Sequence, residues 1–407
     1  GVLPFCTAPG QACWSWPKTH LQADKAPKKG ALKKKRSFEG KLHRERNGFD
    51  LMRSCTLDGI KIDGLCACVP SHTVDNAAFG AELFGDRIED TIKVTGIRTR
   101  RVCPPGSGIT ALDLCVEAAK KLLEHHTLTP SDLGGVLFVT QTPDYDIPNN
   151  SSRAADLLGL PHSCTAVDTS FGCSGYVYGL WLTGLMAKSL NAPVLLLDGE
   201  THSYFTSPRD RATALLFGDA GSATILTPDE GARPWFFGFL TDGSKHDVLL
   251  IPEGRSRNLF NERSLEYRNW PDGGVRRPID IRMDGMAIFN FVVRNVPRVL
   301  TEILKNADIP SDAVDRLLLH QANLFMIEQV AKQVGIPRDR MPVSLDRYGN
   351  SSSATLPVTI CSELAGELKT ERKRALLAGF GAGLSIAAAS IEMGPCICPG
   401  LLEYPGE

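Results

Sequence analysis

The sequence predicts a layered α/β protein made of two similar halves. Short β-rich apolar runs alternate with longer helical-period ones along most of the chain, the pattern of sheets covered by helices. The alternation occurs twice, in stretches of comparable length on either side of a polar segment at about 242–278 that is rich in Arg, Asn, Gly and Pro. At 407 residues, with 43% hydrophobic and 22% charged side chains, the chain has the length and composition of two globular units.

Residues 1–56 read as a basic, disordered N-terminal extension. Within residues 1–55, 12 Lys and Arg stand against 4 Asp and Glu, a charge of +8, so the other 352 residues sum to −9 (33 basic, 42 acidic). The run KAPKKGALKKKR (25–36) could address nucleic acid or anionic lipid, but blocks of like charge are usually solvated and unpacked, and neither partner is expected. The N-terminal half, 57–230, holds strand-like IKIDGLCACVP, GGVLFVTQ and PVLLLDGE around the helical ALDLCVEAAKKLLEHH and a second apolar helix after Cys173. The C-terminal half, 231–393, follows with the surface insertion 242–278, a helix in DGMAIFNFVVRNVPRVLTEILKNA, a strand into RLLLHQAN, and RALLAGFGAGLSIAAASIEM. Residues 394–407 read as a C-terminal tail.

Several classes fall away. The most apolar window, 176–197, is broken by Lys188, Asn191 and Pro193, short of the run needed to span a bilayer. A compact secretory signal is missing, so a cytoplasmic protein without a membrane partner is expected. The pairs Cys66/Cys68 and Cys396/Cys398 lack the second pair or histidines of a zinc site, so no metal is expected and most of the 12 cysteines read as buried small hydrophobes. GFGAG (379–383) could suggest a phosphate loop, but it lacks the ribose-binding acid of a dinucleotide site.

The chemistry starts in TSFGCSGYVYGL (169–180). A cysteine at the start of a buried helix, set among small residues, is placed for nucleophilic attack, with backbone N–H groups and the helix dipole favouring thiolate. His320, in LLLHQANLF, and Asn350, in DRYGNSSSATLP, occupy strand-end and turn positions where α/β enzymes keep their sites. Spacings of 147 and 177 residues from Cys173 also describe papain-like hydrolases, but those carry their cysteine in a different motif near the N-terminus.

Taken together, DTSFGCSG, LLLHQANL, RYGNSSSATLP, GFGAGLS, TGIRTR and DRATALLFGDAGSA resemble the β-ketoacyl-acyl-carrier-protein synthase III family of the thiolase superfamily, in order from about Asp58 to Met393. The resemblance implies a thiolase-like fold, two halves in five αβαβα layers, and a homodimer. It implies that Cys173 takes an acyl group from a thioester, with the backbone N–H groups of Cys173 and Ala382 as the oxyanion hole. His320 and Asn350 would then hold the enolate formed when a malonyl-acyl-carrier-protein (malonyl-ACP) loses CO2. CoA or phosphopantetheine thioesters are the implied substrates, acyl carrier protein the implied partner, and no other cofactor is expected. The resemblance also nominates Arg211, Asn323, Phe325 and Phe380 for substrate binding, and Ile147 for the acyl pocket of the partner subunit.

Three positions depart from the family. Asp90 and Val94 stand where a Trp and an Arg often help to clamp CoA, and Phe325 where an Arg often serves the phosphopantetheine path. The departures suggest a carrier-protein or specialised acyl donor rather than acetyl-CoA. They leave open transfer to a hydroxyl or amine without decarboxylation, as well as a non-catalytic subunit. Fatty-acid and secondary-metabolite pathways are both compatible with these residues, and the basic extension could steer an acidic carrier protein.

Overall fold

The computed structural model describes residues 52–405. Two sheets lie in five layers with helices between and outside them. The first sheet has six strands in the order Ile397–Glu403, Ile60–Val69, Ala220–Pro228, Val194–Glu200, Gly135–Val139 and Thr165–Thr169. The last three run parallel to one another, so their carboxyl ends share one edge. The second sheet has five strands, in the order Arg53–Leu57, Trp235–Thr241, Ser385–Met393, Lys373–Gly381 and Arg316–Leu319.

Helices Gly175–Leu190 and Thr355–Glu363 fill the layer between the sheets, Ala111–Glu124 covers the outer face of the first, and Gly285–Asn306 and Leu324–Val334 lie outside the second. Sequence explains each choice. The Gly175–Leu190 helix is apolar on nearly every side because sheets cover it on both, and Tyr176, Val177 and Leu180 are fully buried. It ends at Asn191 in the left-handed conformation, a common helix stop. The Ala111–Glu124 helix is amphipathic, and a capping box fixes its start: Thr110 N donates to Asp113 Oδ2 at 2.8 Å while Asp113 N donates to Thr110 Oγ1 at 3.4 Å.

Three boundaries differ from expectation. Residues 53–56, expected in the extension, form a strand with Leu57 against Trp235–Thr241 in the second sheet. Residues 397–403, expected in a tail, pair parallel with Ile60–Val69 in the first. Each end of the folded chain thus completes a sheet formed mainly by the opposite half. Period-2 apolar signals over five to seven residues are weak for such edge strands, which explains why the sequence hid them. Finally, the segment 242–278 is not wholly surface: Leu249 and Leu250 reach the central cavity, and Arg276 is buried against Asp210 at 3.0 Å. The KAPKKGALKKKR run lies outside the described residues. No helix among those described is long and apolar enough to cross a membrane.

Candidate active site

Cys173 lies between the Thr165–Thr169 strand and the helix beginning at Gly175, at the floor of a cavity of about 220 Å³ that Ser352 and Ala382 also line. The close approach of the GFGAG segment depends on glycine, since a Cβ at Gly381 would sit 2.7 Å from Cys173 Sγ. The Ala382 backbone N–H lies on the thiol side of the segment and acts to lower the thiol's pKa, as an oxyanion donor beside it should.

Ser352 ties the three predicted residues together. Its Oγ lies 3.6 Å from Cys173 Sγ, and its N–H donates to Asn350 Oδ1 at 2.9 Å. Its carbonyl oxygen is 2.8 Å from Thr355 Oγ1, which in turn lies 2.7 Å from His320 Nδ1. Ser352 adopts φ 54°, a conformation that β-carbon residues rarely take and that tends to gather at functional sites.

Asn350 is positioned by main chain on both sides: its N–H donates to Leu216 O at 2.9 Å, and its own carbonyl accepts from Gly218 N at 3.1 Å. Because the Ser352 N–H occupies Oδ1, the amide Nδ2 is left as a donor. His320 follows the Arg316–Leu319 strand, its N–H donating to Ala378 O at 2.8 Å and its ring edge-on to Phe380 at 5.4 Å. Burial pushes its imidazole down to about 3, so the ring is neutral at physiological pH. The Thr355 hydroxyl donates its one proton to Ser352 O in the free protein; turned instead to Nδ1, it would leave the ring proton on Nε2, the tautomer with a donor to offer.

The thiol differs from expectation. Burial pushes Cys173 up to about 11 and outweighs the lowering by the Ser352 hydroxyl and the Ala382 N–H; nearby Glu200 also raises it. The helix start therefore does not deliver a resting thiolate. Among the described residues no imidazole hydrogen-bonds Sγ, which argues against the papain-like pairing. In the free protein, the rate of Cys173 alkylation by iodoacetamide, followed by peptide mass spectrometry, should rise roughly tenfold per pH unit from about 7 to about 10 as the small thiolate fraction grows. A plateau near neutrality would contradict this.

The resemblance-based substrate residues scatter. Phe380 is buried under His320 in the outer core and does not line the cavity, because its strand turns that side chain away from the thiol. Asn323 caps the Leu324–Val334 helix, accepting from Met326 N at 3.2 Å. Phe325 is half-exposed and stacked on Phe289 at 5.7 Å, Arg211 donates from Nε to Leu83 O at 3.1 Å, and Ile147 is 88% exposed. Sequence reading missed Ser352, Thr355 and His202. The last lies two residues past the end of the Val194–Glu200 strand, so the strand-end rule that found His320 could have found it. Behind the cavity, Glu200 accepts from Gln141 N at 3.0 Å and Thr142 Oγ1 at 3.0 Å, while neither oxygen of the adjacent buried Asp198 is hydrogen-bonded. Burial raises both carboxyls, Asp198 to about 7. No group of metal-ligating side chains occurs among the described residues.

Two family models match, 3-oxoacyl-[acyl-carrier-protein] synthase III over residues 167–243 and its C-terminal part over 304–393. A Streptococcus suis β-ketoacyl-[acyl-carrier-protein] synthase III is 33% identical over 305 residues, 74% of this chain and 88% of that protein. A Brucella abortus 3-oxopimeloyl-[acyl-carrier-protein] synthase is 30% identical, over 83% of this chain and 100% of its own. The crystal structure of a 3-oxoacyl-(acyl-carrier protein) synthase from Burkholderia xenovorans superposes with a TM-score of 0.81 at 36% identity, covering 88% of this chain and 100% of that one.

Proposed function

The chain belongs to the 3-oxoacyl-[acyl-carrier-protein] synthase III family, with the thiolase-like fold of its relatives, and from that premise we propose that it condenses an acyl group with a malonyl-derived two-carbon unit through Cys173. The observation that carries the reading is the convergence on Ser352 of the thiol, the amide of Asn350 and the ring of His320.

In the first half-reaction Cys173 Sγ bonds to the acyl carbonyl carbon, and the thioester C–S bond breaks. The carrier thiol leaves with the cysteine's proton, while the Cys173 and Ala382 N–H groups hold the tetrahedral oxyanion. In the second, malonyl-ACP loses CO2, and the enolate oxygen is held by Asn350 Nδ2 and His320 Nε2. Its carbon attacks the acyl-Cys173 carbonyl, giving 3-oxoacyl-ACP. Sulfur departs as thiolate and regains a proton from solvent. Two neutral donors in a site largely closed to water suit a charge that exists only in passage.

The edge strand Thr165–Thr169 supports a homodimer. Half its hydrogen-bonding edge is unpaired in the single chain, and Val167 and nearby Ile147 expose apolar surface. Pairing there would deliver Ile147 to the partner's acyl cavity; a monomeric mass in solution would overturn this. The protein would work in the cytosol on carrier-protein thioesters. Asp90 and Val94 offer neither ring nor cation to complete a CoA clamp with Arg211, so acetyl-CoA should be a poor primer.

The test is CO2 release from malonyl-ACP with a panel of acyl-ACP and acyl-CoA primers, acetyl-CoA included. Release that depends on the acyl donor is expected, strongest with acyl-ACP. If mass spectrometry shows acyl-Cys173 but no CO2 appears, the enzyme is an acyltransferase acting on a hydroxyl or amine.

A further inference from the structure

The cavity beside Cys173 is lined by two kinds of side chain. Leu249, Leu250, Ile251 and Ile281 supply apolar surface, as a hydrocarbon acyl chain requires. Gln141, Ser170 and His202 do not, and all three follow the carboxyl ends of the adjacent parallel strands Gly135–Val139, Thr165–Thr169 and Val194–Glu200.

His202 stands out because neither ring nitrogen is hydrogen-bonded. Nδ1 is fully buried without a partner among the described residues and out of a ligand's reach, so Nε2 is the nitrogen left for one; the carboxylate oxygen facing Nε2, Glu200 Oε2, is 3.9 Å away, beyond hydrogen-bond reach. The ring packs at a tilt on Phe217, 5.6 Å between centroids, which fixes it in place. Burial lowers the imidazole to about 4, so it is neutral and carries one donor and one acceptor. A hydrogen-bonding group left unpaired in such a site carries a desolvation cost that a fitting ligand removes. For a plain hydrocarbon an aliphatic side chain here would be the better wall.

We propose that His202 is a specificity-determining residue that selects acyl groups carrying a neutral hydrogen-bonding substituent, a hydroxyl, over unsubstituted chains. The inference rests on Cys173 being the acylated nucleophile. A hydroxyl, which both donates and accepts, satisfies either tautomer of a neutral imidazole, and Gln141 and Ser170 offer further partners. A carboxylate is disfavoured: among the described residues no Lys or Arg lines this cavity, and the buried carboxyls of Glu200 and Asp198 lie behind it.

The experiment compares acylation of Cys173 by the N-acetylcysteamine thioesters of hexanoate, 3-hydroxyhexanoate and 6-hydroxyhexanoate, read by intact mass without malonyl-ACP, in wild type, His202→Leu and His202→Gln. In the wild type at least one hydroxylated thioester should acylate roughly tenfold or more faster than hexanoyl, on the principle that a site built for a hydroxyl penalises its loss. His202→Leu should lose or reverse that ratio, and His202→Gln should retain part of it. Thermal melting confirms that each variant is folded. A wild-type ratio near or below one for both isomers, as when water already satisfies the ring, overturns the inference, as does a ratio unchanged in His202→Leu. If Cys173 accepts no thioester at all, the proposed function falls with it, whereas acylation without discrimination removes the His202 role alone.

Discussion

Replacing Cys173 by alanine should abolish acyl-dependent CO2 release, with a loss of roughly 10⁴-fold or more, the scale on which removing a nucleophile acts. The expectation is strong because nothing in the site can take over the bond to the acyl carbon. Ser352 Oγ, the hydroxyl 3.6 Å from the sulfur, has no base beside it, and His320 Nδ1 is engaged by Thr355. Cys173→Ser should be nearly as inactive, since the same surroundings that hold a thiol at about 11 would hold a far weaker acid fully protonated. Folding should survive: alanine removes one buried sulfur, a cost of about 1 kcal/mol on the scale of small core truncations. Intact-mass spectrometry after incubation with acyl-ACP gives the direct readout, a mass gain on the wild type and none on the alanine variant. An acyl group found on the variant would move the nucleophile elsewhere.

The legible parts of this protein were those where local chemistry is strict. Cys173, His320 and Asn350 stood out because each occupies a strand end or turn in a motif where small residues permit close approach, and the structure links all three through Ser352. The layered architecture followed from periodicity, and its αβαβα form from the resemblance. What stayed hidden depends on distant pairing. Nothing local tells Arg53–Leu57 that its partner is Trp235–Thr241, or Ile397–Glu403 that it will lie beside Ile60–Val69. The thiol was misjudged for the same reason: the helix start is visible in sequence, but the desolvation that dominates it comes from the tertiary burial of Cys173, and the charge of Glu200 adds to it. Phe380 shows the converse, a residue inside a correctly placed motif whose alternation in the strand sends it to the other face.

Asn350→Asp should separate the two half-reactions. The substitution keeps shape, and one aspartate oxygen can still accept the Ser352 N–H that Oδ1 accepts at 2.9 Å, so the turn should hold. At the other position it exchanges a donor for an acceptor. An enolate oxygen that met an N–H would meet a carboxyl oxygen, and removing a single such donor typically costs about 10²- to 10³-fold. Decarboxylation of malonyl-ACP should fall by at least that factor, while acyl-Cys173 still forms within a few-fold of the wild-type rate, because the first oxyanion is held by the Cys173 and Ala382 N–H groups. Single-turnover CO2 release and intact-mass acylation on the same samples read the two steps. Parallel loss of both would make Asn350 a structural residue. His320→Ala should show the same split, and the double variant should lose less than the product of the single losses, since two donors holding one oxygen act as a unit. Independent, multiplying losses would mean that the ring and the amide serve different atoms of the substrate.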